Sequence, residues 1–281
     1  MRPDSIPMDK LIIEAGRSEH QYWRDLWRYR ELFYFLAWRD LLVRYKQTVV
    51  GVGWAVIRPF LTMLVLTIVF GRFAKMPPGG VPYPILVFCG LLPWQFFSTA
   101  LSESGGSLIS NANLISKVYF PRLVVPTSSV ITSLVDFLIS AVFMVALLVW
   151  YRFVPASTIL VLPLFVFLAF MVSLGAGLWI AALMVKYRDF RVIVPFVVQF
   201  GLYLSPVGYY SNYVVEAKWW RPFYYLNPMA GIIDGFRWAI LGGIHSIYLP
   251  GMAISTVVIF ALCFSGIWYF RRTERTFADV I

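Results

Sequence analysis

Residues 157–185 read STILVLPLFVFLAFMVSLGAGLWIAALMV, a stretch of 29 residues without a charged side chain. About 20 consecutive apolar residues are enough for an α-helix to cross the roughly 30 Å of hydrocarbon in a bilayer. A run of this length and apolar purity therefore predicts a transmembrane helix. It also indicates that the sequence on either side should be compared with the same membrane-spanning pattern.

Five more windows of similar character flank this stretch. Because lipid offers the backbone no hydrogen-bond partners, an α-helix satisfies its own polar groups and is the form that each window is expected to take. The expected fold is an all-α integral membrane protein with six transmembrane helices. The six predicted spans are Val52–Phe73, Tyr83–Ser102, Pro126–Trp150, Ser157–Val185, Val192–Tyr210 and Leu249–Phe270.

The composition of the whole chain supports the same class. Hydrophobic residues make up 60% of the 281 residues and charged residues 14%, whereas soluble domains average about 45–50% and about 25%. With only two cysteines, Cys89 and Cys263, a secreted disulfide scaffold is excluded. The high hydrophobic content also excludes a soluble globular domain and a disordered chain.

The net charge of +10 follows from the way the spans divide the chain. If both termini are cytoplasmic, seventeen of the 24 basic residues lie on the cytoplasmic side and six on the outer side. Cytoplasmic loops of membrane proteins carry such an excess of Lys and Arg. The charge therefore predicts orientation, and nucleic-acid binding is not expected.

The segment before the first span has a pattern of its own. Apolar and aromatic residues recur at helical spacing over residues 20–48, with Arg39, Asp40 and Arg44 between them. This pattern predicts an amphipathic helix at the membrane surface, in an N-terminal cytoplasmic segment (residues 1–50) that precedes the six-span transmembrane domain (residues 51–281). Such a helix is either a passive interfacial anchor or the docking surface of a partner, and the pattern favours neither.

The loop between the second and third spans predicts a short helix. Asn111 is suited to cap its start and Pro121 to stop it. A short, stiff helix here is either an ordinary loop helix or an element that passes force from a soluble motor to the membrane.

The segment 211–248, between the fifth and sixth spans, is rich in aromatic residues. Asn227 followed by Pro228 predicts a helix start, and the run that follows to Leu241 is too short to cross a bilayer. A second short helix is expected over Asn212–Arg221, broken by Pro222. We interpret these as a pair of half-inserted, re-entrant helices on the outer side, with a simple aromatic interface belt as the alternative.

Catalytic and metal chemistry is not visible in the sequence. No G-x-x-x-x-G-K-[ST] motif occurs, so the chain has no P-loop for a nucleotide. Its histidines, His20 and His245, lack the spacing of metal ligands. We therefore expect neither an enzyme nor a cofactor or metal bound by this chain.

Two ionisable residues lie at depth in predicted spans. At 1.5 Å per residue, Arg58 lies roughly 10 Å and Asp136 roughly 15 Å from the cytoplasmic end of its span. Because a charge at the centre of the bilayer costs about 2.5–3.5 kcal/mol, such groups usually face protein partners or water. Our hypothesis is that both line a conduit and form a pair. The alternative is that Arg58 snorkels to the cytoplasmic headgroups.

Five short patterns, weak singly but specific as a set, extend over roughly residues 30–275. They are Arg39-Asp40-Leu41 with Arg44-Tyr45-Lys46, Thr48, Gly51, Trp54 and Pro59; Asn113-Leu114-Ile115 with Lys117 and Phe120-Pro121-Arg122; Tyr187-Arg188-Asp189; Leu204-Ser205-Pro206 with Tyr209; and Leu226-Asn227-Pro228-Met229. As a set these patterns resemble the permeases of type-2 ABC exporters. The resemblance is strongest to the subgroup that exports lipid-linked polysaccharides such as O-antigen, and to the related teichoic-acid exporters.

The resemblance implies a homodimer in the bacterial inner membrane, with two separate ATPase subunits that bind ATP and Mg. It implies a polyprenyl-linked glycan as substrate and outer helices that gate the exit. Teichoic acid, another lipid or a drug stays possible as cargo, and a self-contained channel or ion-coupled carrier is the alternative from another class. The residues expected to contact the ATPases are Trp38, Arg39, Asp40, Arg44, Asn111, Asn113, Lys117 and Arg122.

Aromatic rings give a sliding glycan weak, repeated contacts, because they stack on the apolar faces of sugars. Each such residue is alternatively a packing or belt residue. The candidates for the channel and gate are Trp54, Arg58, Asp136, Tyr203, Tyr209, Tyr210, Trp219, Trp220 and Asn227.

Overall fold

The computed structural model describes residues 19–46, 51–77, 79–214, 219–242, 247–274 and 277, and within this part the regular structure is helical without a strand. The N-terminal part of the predicted segment 1–50, residues 1–18, and its end at 47–50 lie outside the described residues. The α-helices of the described part are α1 (Glu19–Arg28), α2 (Arg30–Lys46), α3 (Trp54–Leu66), α4 (Tyr83–Ser110), α5 (Ala112–Lys117), α6 (Val124–Trp150), α7 (Leu162–Lys186), α8 (Phe190–Leu204), α9 (Ser211–Val214), α10 (Arg221–Tyr224), α11 (Pro228–Leu241) and α12 (Leu249–Thr273).

Within the described residues, five helices are long and apolar enough to cross a membrane, and each covers one of the six predicted windows. The first consists of a 3-10 turn, α3 and a π-helical turn (Thr67–Phe73). A second 3-10 turn (Ser157–Val161) precedes α7. The five are Gly51–Phe73, Tyr83–Ser110, Val124–Trp150, Ser157–Lys186 and Leu249–Thr273.

The remaining window, Val192–Tyr210, is shorter as a helix than the sequence predicts. α8 has 15 residues and ends at Leu204, so it spans about 22 Å at 1.5 Å per residue. The chain then continues without helix through residues 205–210. Helix α8 alone is therefore too short to cross the bilayer, and the sixth crossing stays a prediction.

Helix α4 lies at the centre of the bundle and packs against both α6 and α7, while α7 packs against α12. Small residues allow the last pair to approach closely. A Cβ atom on Gly266 would lie 2.3 Å from the carbonyl oxygen of Gly175, and one on Gly175 would lie 2.6 Å from the Cα of Cys263. Small residues at such crossings are typical of membrane helix packing.

The predicted surface helix is two helices, α1 and α2, separated at Tyr29. On α2 the charged side faces the protein, because Arg39 and Arg44 bond to other helices. The aromatic side, which includes Phe35 and Trp38, is exposed. This arrangement suits a helix whose outer face meets lipid or a partner, so its role at the interface stays a prediction.

The loop helix α5 is present between the second and third spans, but the details differ from the sequence prediction. Asn111 precedes it without capping it through its side chain, because that side chain bonds to Arg39 and to the carbonyl of Ser107 instead. The helix ends at Lys117, four residues before Pro121. Pro121 therefore does not stop it.

Helix α11, in the segment predicted to lie on the outer side, has the start and end that the sequence predicts. The side chain of Asn227 accepts a hydrogen bond from the backbone of Met229 at 3.1 Å, Pro228 is the first helical residue, and Gly242 ends α11 in a left-handed conformation (φ 73°). These features are the capping and termination devices that the residue types favour.

The helix expected over Asn212–Arg221 is only partly tested, since residues 215–218 lie outside the described residues. In the described part, α9 ends at Val214 and α10 begins at Arg221. The sequence predicts that Pro222 breaks a helix. In the structure Pro222 instead lies in the first turn of α10. Its fixed φ suits that position, where its missing N–H costs nothing.

Candidate functional site

A polar cavity of about 290 Å³ lies where α2 meets the first three spans. In the orientation predicted from the charge bias, this half of the spans faces the cytoplasm. Its wall combines charged and amide side chains with aromatic rings, a mixture that is unusual inside an apolar bundle. The charged and aromatic residues of the wall include Arg44, Tyr45, Trp54, Arg58, Glu103 and Asp136.

Arg44 is the centre of this cavity's hydrogen-bond network. Its guanidinium donates to Glu103 on α4 and to Asp136 on α6, forming an ion pair with each. Tyr45, the next residue on α2, donates its hydroxyl to the other oxygen of Asp136. Ser133 donates to Glu103 at 3.5 Å. One cation thus joins α2 to two spans.

Electrostatics keep Arg44 and Tyr45, the two members of this network on α2, in their hydrogen-donating forms. Burial raises the pKa of the Tyr45 hydroxyl, and its hydrogen bond to the Asp136 carboxylate raises that pKa further. Burial by itself lowers the pKa of Arg44, but the carboxylates of Glu103 and Asp136 outweigh this, so the pKa is raised overall. At neutral pH Tyr45 is therefore a proton donor and Arg44 a cation.

Arg58 and Asp136 line the same cavity, but they do not form the pair that we hypothesised. Asp136 bonds to Arg44 and Tyr45, whereas Arg58 lies over the ring of Trp54, 5.7 Å from its centroid. In the part of the chain that the structure describes, Arg58 forms no ion pair. The closer partner comes from α2, a helix that the depth argument did not consider.

The residues expected to contact the ATPases fall into two groups. Arg39 donates to Asp40 and, at 2.7 Å, to the side-chain oxygen of Asn111, so α2 is tied to the end of α4. Arg122 instead donates to the backbone carbonyl of Glu274 at the end of α12. The second group is exposed and holds no part of the bundle together: Trp38, Asn113 and Lys117.

The outer candidates are similarly divided. Tyr209 and Tyr210 are buried, and the Tyr209 hydroxyl donates to the carbonyl of Tyr203 at 2.9 Å. Asn227 donates from its amide to the hydroxyl of Ser205 at 2.9 Å, in addition to capping α11. In this single chain these three residues therefore pack the outer region together.

The other outer aromatics are exposed. Tyr203 lies on α8 with its ring exposed, and Trp219 and Trp220 stand edge to face with ring centroids 5.6 Å apart. Exposed rings of this kind are available to a partner, a lipid headgroup or a sugar.

Sequence reasoning did not select Glu103, Tyr45 or Arg237. Glu103 lies about two turns of helix before Asn111 on α4, which places it within reach of the same helix α2. Arg237 is 2% exposed, and a basic residue in the middle of an apolar 14-residue helix was the available signal. Among the described residues, no group of three or more His, Cys, Asp or Glu side chains is arranged to hold a metal ion.

Comparison with known proteins adds an independent observation. The family model described as ABC-2 type transporter matches residues 31–241. The match begins in α2 and ends at the last residue of α11, so it includes both the polar cavity and the outer helices.

Individual relatives match along nearly the whole chain. An O-antigen export system permease protein from Myxococcus xanthus is 30% identical over 92% of this chain and 98% of its own length. A protein of the same description from Klebsiella pneumoniae is 27% identical over 89% of this chain and 95% of its own length. A polysialic acid transport protein from Escherichia coli is 23% identical over 84% of this chain and 91% of its own length.

Proposed function

The chain belongs to the ABC-2 type transporter family, and we propose that it is the transmembrane subunit of an exporter for lipid-linked polysaccharide, of the O-antigen kind, in the bacterial inner membrane. The observation that carries the proposal is the nearly full-length similarity to O-antigen export permeases. The similarity to a polysialic acid transport protein supports the same broad class of cargo, a polysaccharide.

As a member of this transporter family the chain is a permease subunit and not itself an enzyme. Its sequence contains no P-loop, so the energy comes from partner ATPase subunits that bind ATP and Mg. The exposed residues Trp38, Asn113 and Lys117 are suited to contact these subunits. Arg39, Asp40, Asn111 and Arg44 carry the resulting movement into α4 and α6 through the contacts described above.

The polar cavity is the part of the conduit nearest the cytoplasm in this proposal. Arg58 and Asp136 supply charged groups, and the ring of Trp54 lies beside Arg58. A glycan meets both hydrogen-bonding groups and a stacking surface there. Tyr203, Trp219 and Trp220 offer rings at the outer end, while Tyr209, Tyr210 and Asn227 hold the outer gate together.

A second copy of the chain completes the conduit. Within α8, all of which the structure describes, only Val194 is buried, and the exposed residues include Gln199 in the middle of the helix. A polar amide at that depth is unfavourable against lipid. Helix α8 therefore faces either the partner subunit or the aqueous conduit, and the homodimer supplies both.

Orientation follows from the charge bias. Six crossings, with α8 and its unwound continuation as the fifth, place both termini in the cytoplasm and α9, α10 and α11 on the outer side as half-inserted helices. Membrane lipids then cover the apolar faces of the spans, and nucleic acid has no part in the function.

Transport by the purified complex tests the proposal. The chain is purified with the ATPase that co-purifies with it and reconstituted into vesicles that carry polyprenyl-linked glycan on the ATPase side. We expect the glycan to reach the opposite side only with ATP, and not with a hydrolysis-deficient ATPase.

Other outcomes would identify the alternatives. Glycan or ion movement without any ATPase would replace the proposal by a channel or an ion-coupled carrier. ATP-driven movement of teichoic acid or a small lipid, with no movement of O-antigen-like glycan, would keep the transporter class and change its cargo.

A further inference from the structure

The outer end of α8 leaves backbone groups that need partners. The helix ends at Leu204, and residues 205–210 follow without regular structure although all six are buried. Buried N–H and C=O groups are costly when unpaired, most of all at membrane depth. The bonds that this unwound segment makes are therefore specific to its position.

Three consecutive carbonyl groups of the segment each receive a side-chain donor. Arg237 donates from Nη2 to Val207 at 2.7 Å and from Nη1 to Tyr209 at 2.5 Å. Between them, the Tyr83 hydroxyl donates to Gly208 at 2.7 Å. Two side chains, one from α11 and one from α4, thus hold the unwound backbone on both sides.

The same guanidinium reaches further into α4. Its Nε donates to the carbonyl of Leu86 at 3.4 Å. The approach is possible because residue 90 is glycine: a Cβ there would lie 2.9 Å from the Val207 oxygen and 3.0 Å from Nη2 of Arg237. Arg237 therefore joins α11, α4 and the unwound segment at one point.

Asp234, one helical turn before Arg237, holds the residue that follows the segment. Its carboxylate accepts hydrogen bonds from Ser211 at 2.6 Å and from Tyr225 at 2.7 Å. Helix α11 thus grips the segment at 207–209 through a cation and at 211 through an anion. The two groups stabilise each other electrostatically, since opposite charges interact strongly where water is scarce.

Pro206 disfavours a continuous helix here, because it has no N–H to donate and pushes Ser205 into an extended conformation (φ −91°, ψ 149°). Burying a guanidinium beside this break is unfavourable until its hydrogen bonds offset the loss of water. The break in the helix leaves carbonyl groups free, and the buried arginine bonds to them. Helix α11 is thereby attached directly to the end of α8, as it would not be to a continuous helix.

We propose that Arg237 and Asp234 form a clamp through which α11 positions residues 205–210, making this segment the hinge of the outer gate. The proposal deepens the proposed function, because it takes α8 as a wall of the conduit and α11 as part of its exit. Both are positioning residues. Arginine suits the task because its planar fork presents several donors at once, whereas lysine offers a single point charge.

Spin labels on the complete transporter test the clamp. The labels are attached at positions 204 and 164, which are exposed on α8 and α7, after Cys89 and Cys263 have been replaced by serine. We expect Arg237→Lys to broaden the distance distribution between the labels and to raise the leak of a small dye several-fold without ATP. Arg221→Lys is the matched control, because Arg221 is a partly exposed outer arginine that bonds to Asn212.

A distance distribution and a leak equal to those of the unsubstituted protein would overturn the clamp. If Arg237→Lys does not fold, Asp234→Asn takes its place, with the same broadening expected and the same result overturning it. These measurements do not depend on glycan. If the complex does not transport glycan but the labels respond to the substitution, the proposed function is wrong and the clamp stands. If the complex transports glycan but the labels do not respond, the clamp is wrong and the proposed function stands.

Discussion

Arg44 and Asp136 lie 92 residues apart in the chain, yet the guanidinium of one donates directly to the carboxylate of the other. The pair joins α2, outside the spans, to the middle of the third span. Glu103 on the second span shares the same guanidinium. A movement of α2 is therefore felt in two spans through one side chain, in the wall of the polar cavity.

Removing one carboxylate tests this three-way bridge. We expect Asp136→Asn to destabilise the protein by about 1–3 kcal/mol, the usual range for a hydrogen bond to a charged group, and to lower ATP-driven transport. The thermal unfolding midpoint and the transport rate measure the two effects. Glu103→Gln should act in the same direction, whereas Asp189→Asn, at an exposed position, should change neither. Wild-type stability and transport in Asp136→Asn would contradict the bridge.

Two neighbouring asparagines should separate stability from partner binding. Asn111→Ala removes the bond to Arg39 and the one to the Ser107 carbonyl, so we expect a lower unfolding midpoint. Asn113→Ala changes an exposed residue, so the midpoint should hold while less ATPase co-purifies per permease. The two readouts are differential scanning fluorimetry and the subunit ratio. A reversed pattern would show that the assignment of the two residues is wrong.

The start of α11 allows a graded test at a single position. Asn227→Ala removes the cap of Met229 and the amide bond to Ser205, and caps alone are worth about 1 kcal/mol. Asn227→Asp keeps the acceptor and loses only the donor to Ser205. We expect the unfolding midpoint to be highest for the wild type, lower for Asn227→Asp and lowest for Asn227→Ala. Equal midpoints for the two variants would mean that the bond to Ser205 accounts for the whole effect.

Replacing glycine by alanine should have opposite effects at the crossing of α7 and α12 and at an open position in α4. Gly266→Ala places a methyl group 2.3 Å from the Gly175 oxygen, and overpacking of this kind costs about 1–3 kcal/mol. Gly106→Ala in α4 meets nothing within 4 Å, so alanine should stabilise its helix by about 0.5–1 kcal/mol. Thermal unfolding of both variants in the same detergent provides the comparison. A loss at position 106 as large as that at 266 would contradict the packing described.

Local residue chemistry was sufficient to predict those elements that depend on neighbouring residues alone. The apolar windows set five of the spans, because hydrocarbon thickness fixes their length. Asn227 and Pro228 set the start of α11, because capping and proline geometry act within one turn. Hydropathy alone does not report the break after Leu204, because apolar residues continue past it to Tyr210, but Pro206 is a local signal for it, since a proline disfavours the helical conformation of the residue before it.

Partners from distant parts of the chain could not be predicted in the same way. The depths of Arg58 and Asp136 place both in one cavity, but depth does not say which cation is closer, and Arg44 reaches Asp136 first. Asn111 has the right residue type for a cap, yet a bond to Arg39, 72 residues earlier, takes its side-chain oxygen. In each case a tertiary contact outcompetes the local preference of the side chain.

The two attachments of α2 to α4 have a mechanical consequence. Arg39 holds Asn111 and Arg44 holds Glu103, so the two helices run in opposite directions past each other. At 1.5 Å per residue the attachments are about 7.5 Å apart on α2 and about 12 Å apart on α4. α2 also packs against α6, and the two separate attachments to α4 give it a lever arm on that helix. A push on α2 therefore arrives at the second span as a torque, which turns the span as well as displacing it.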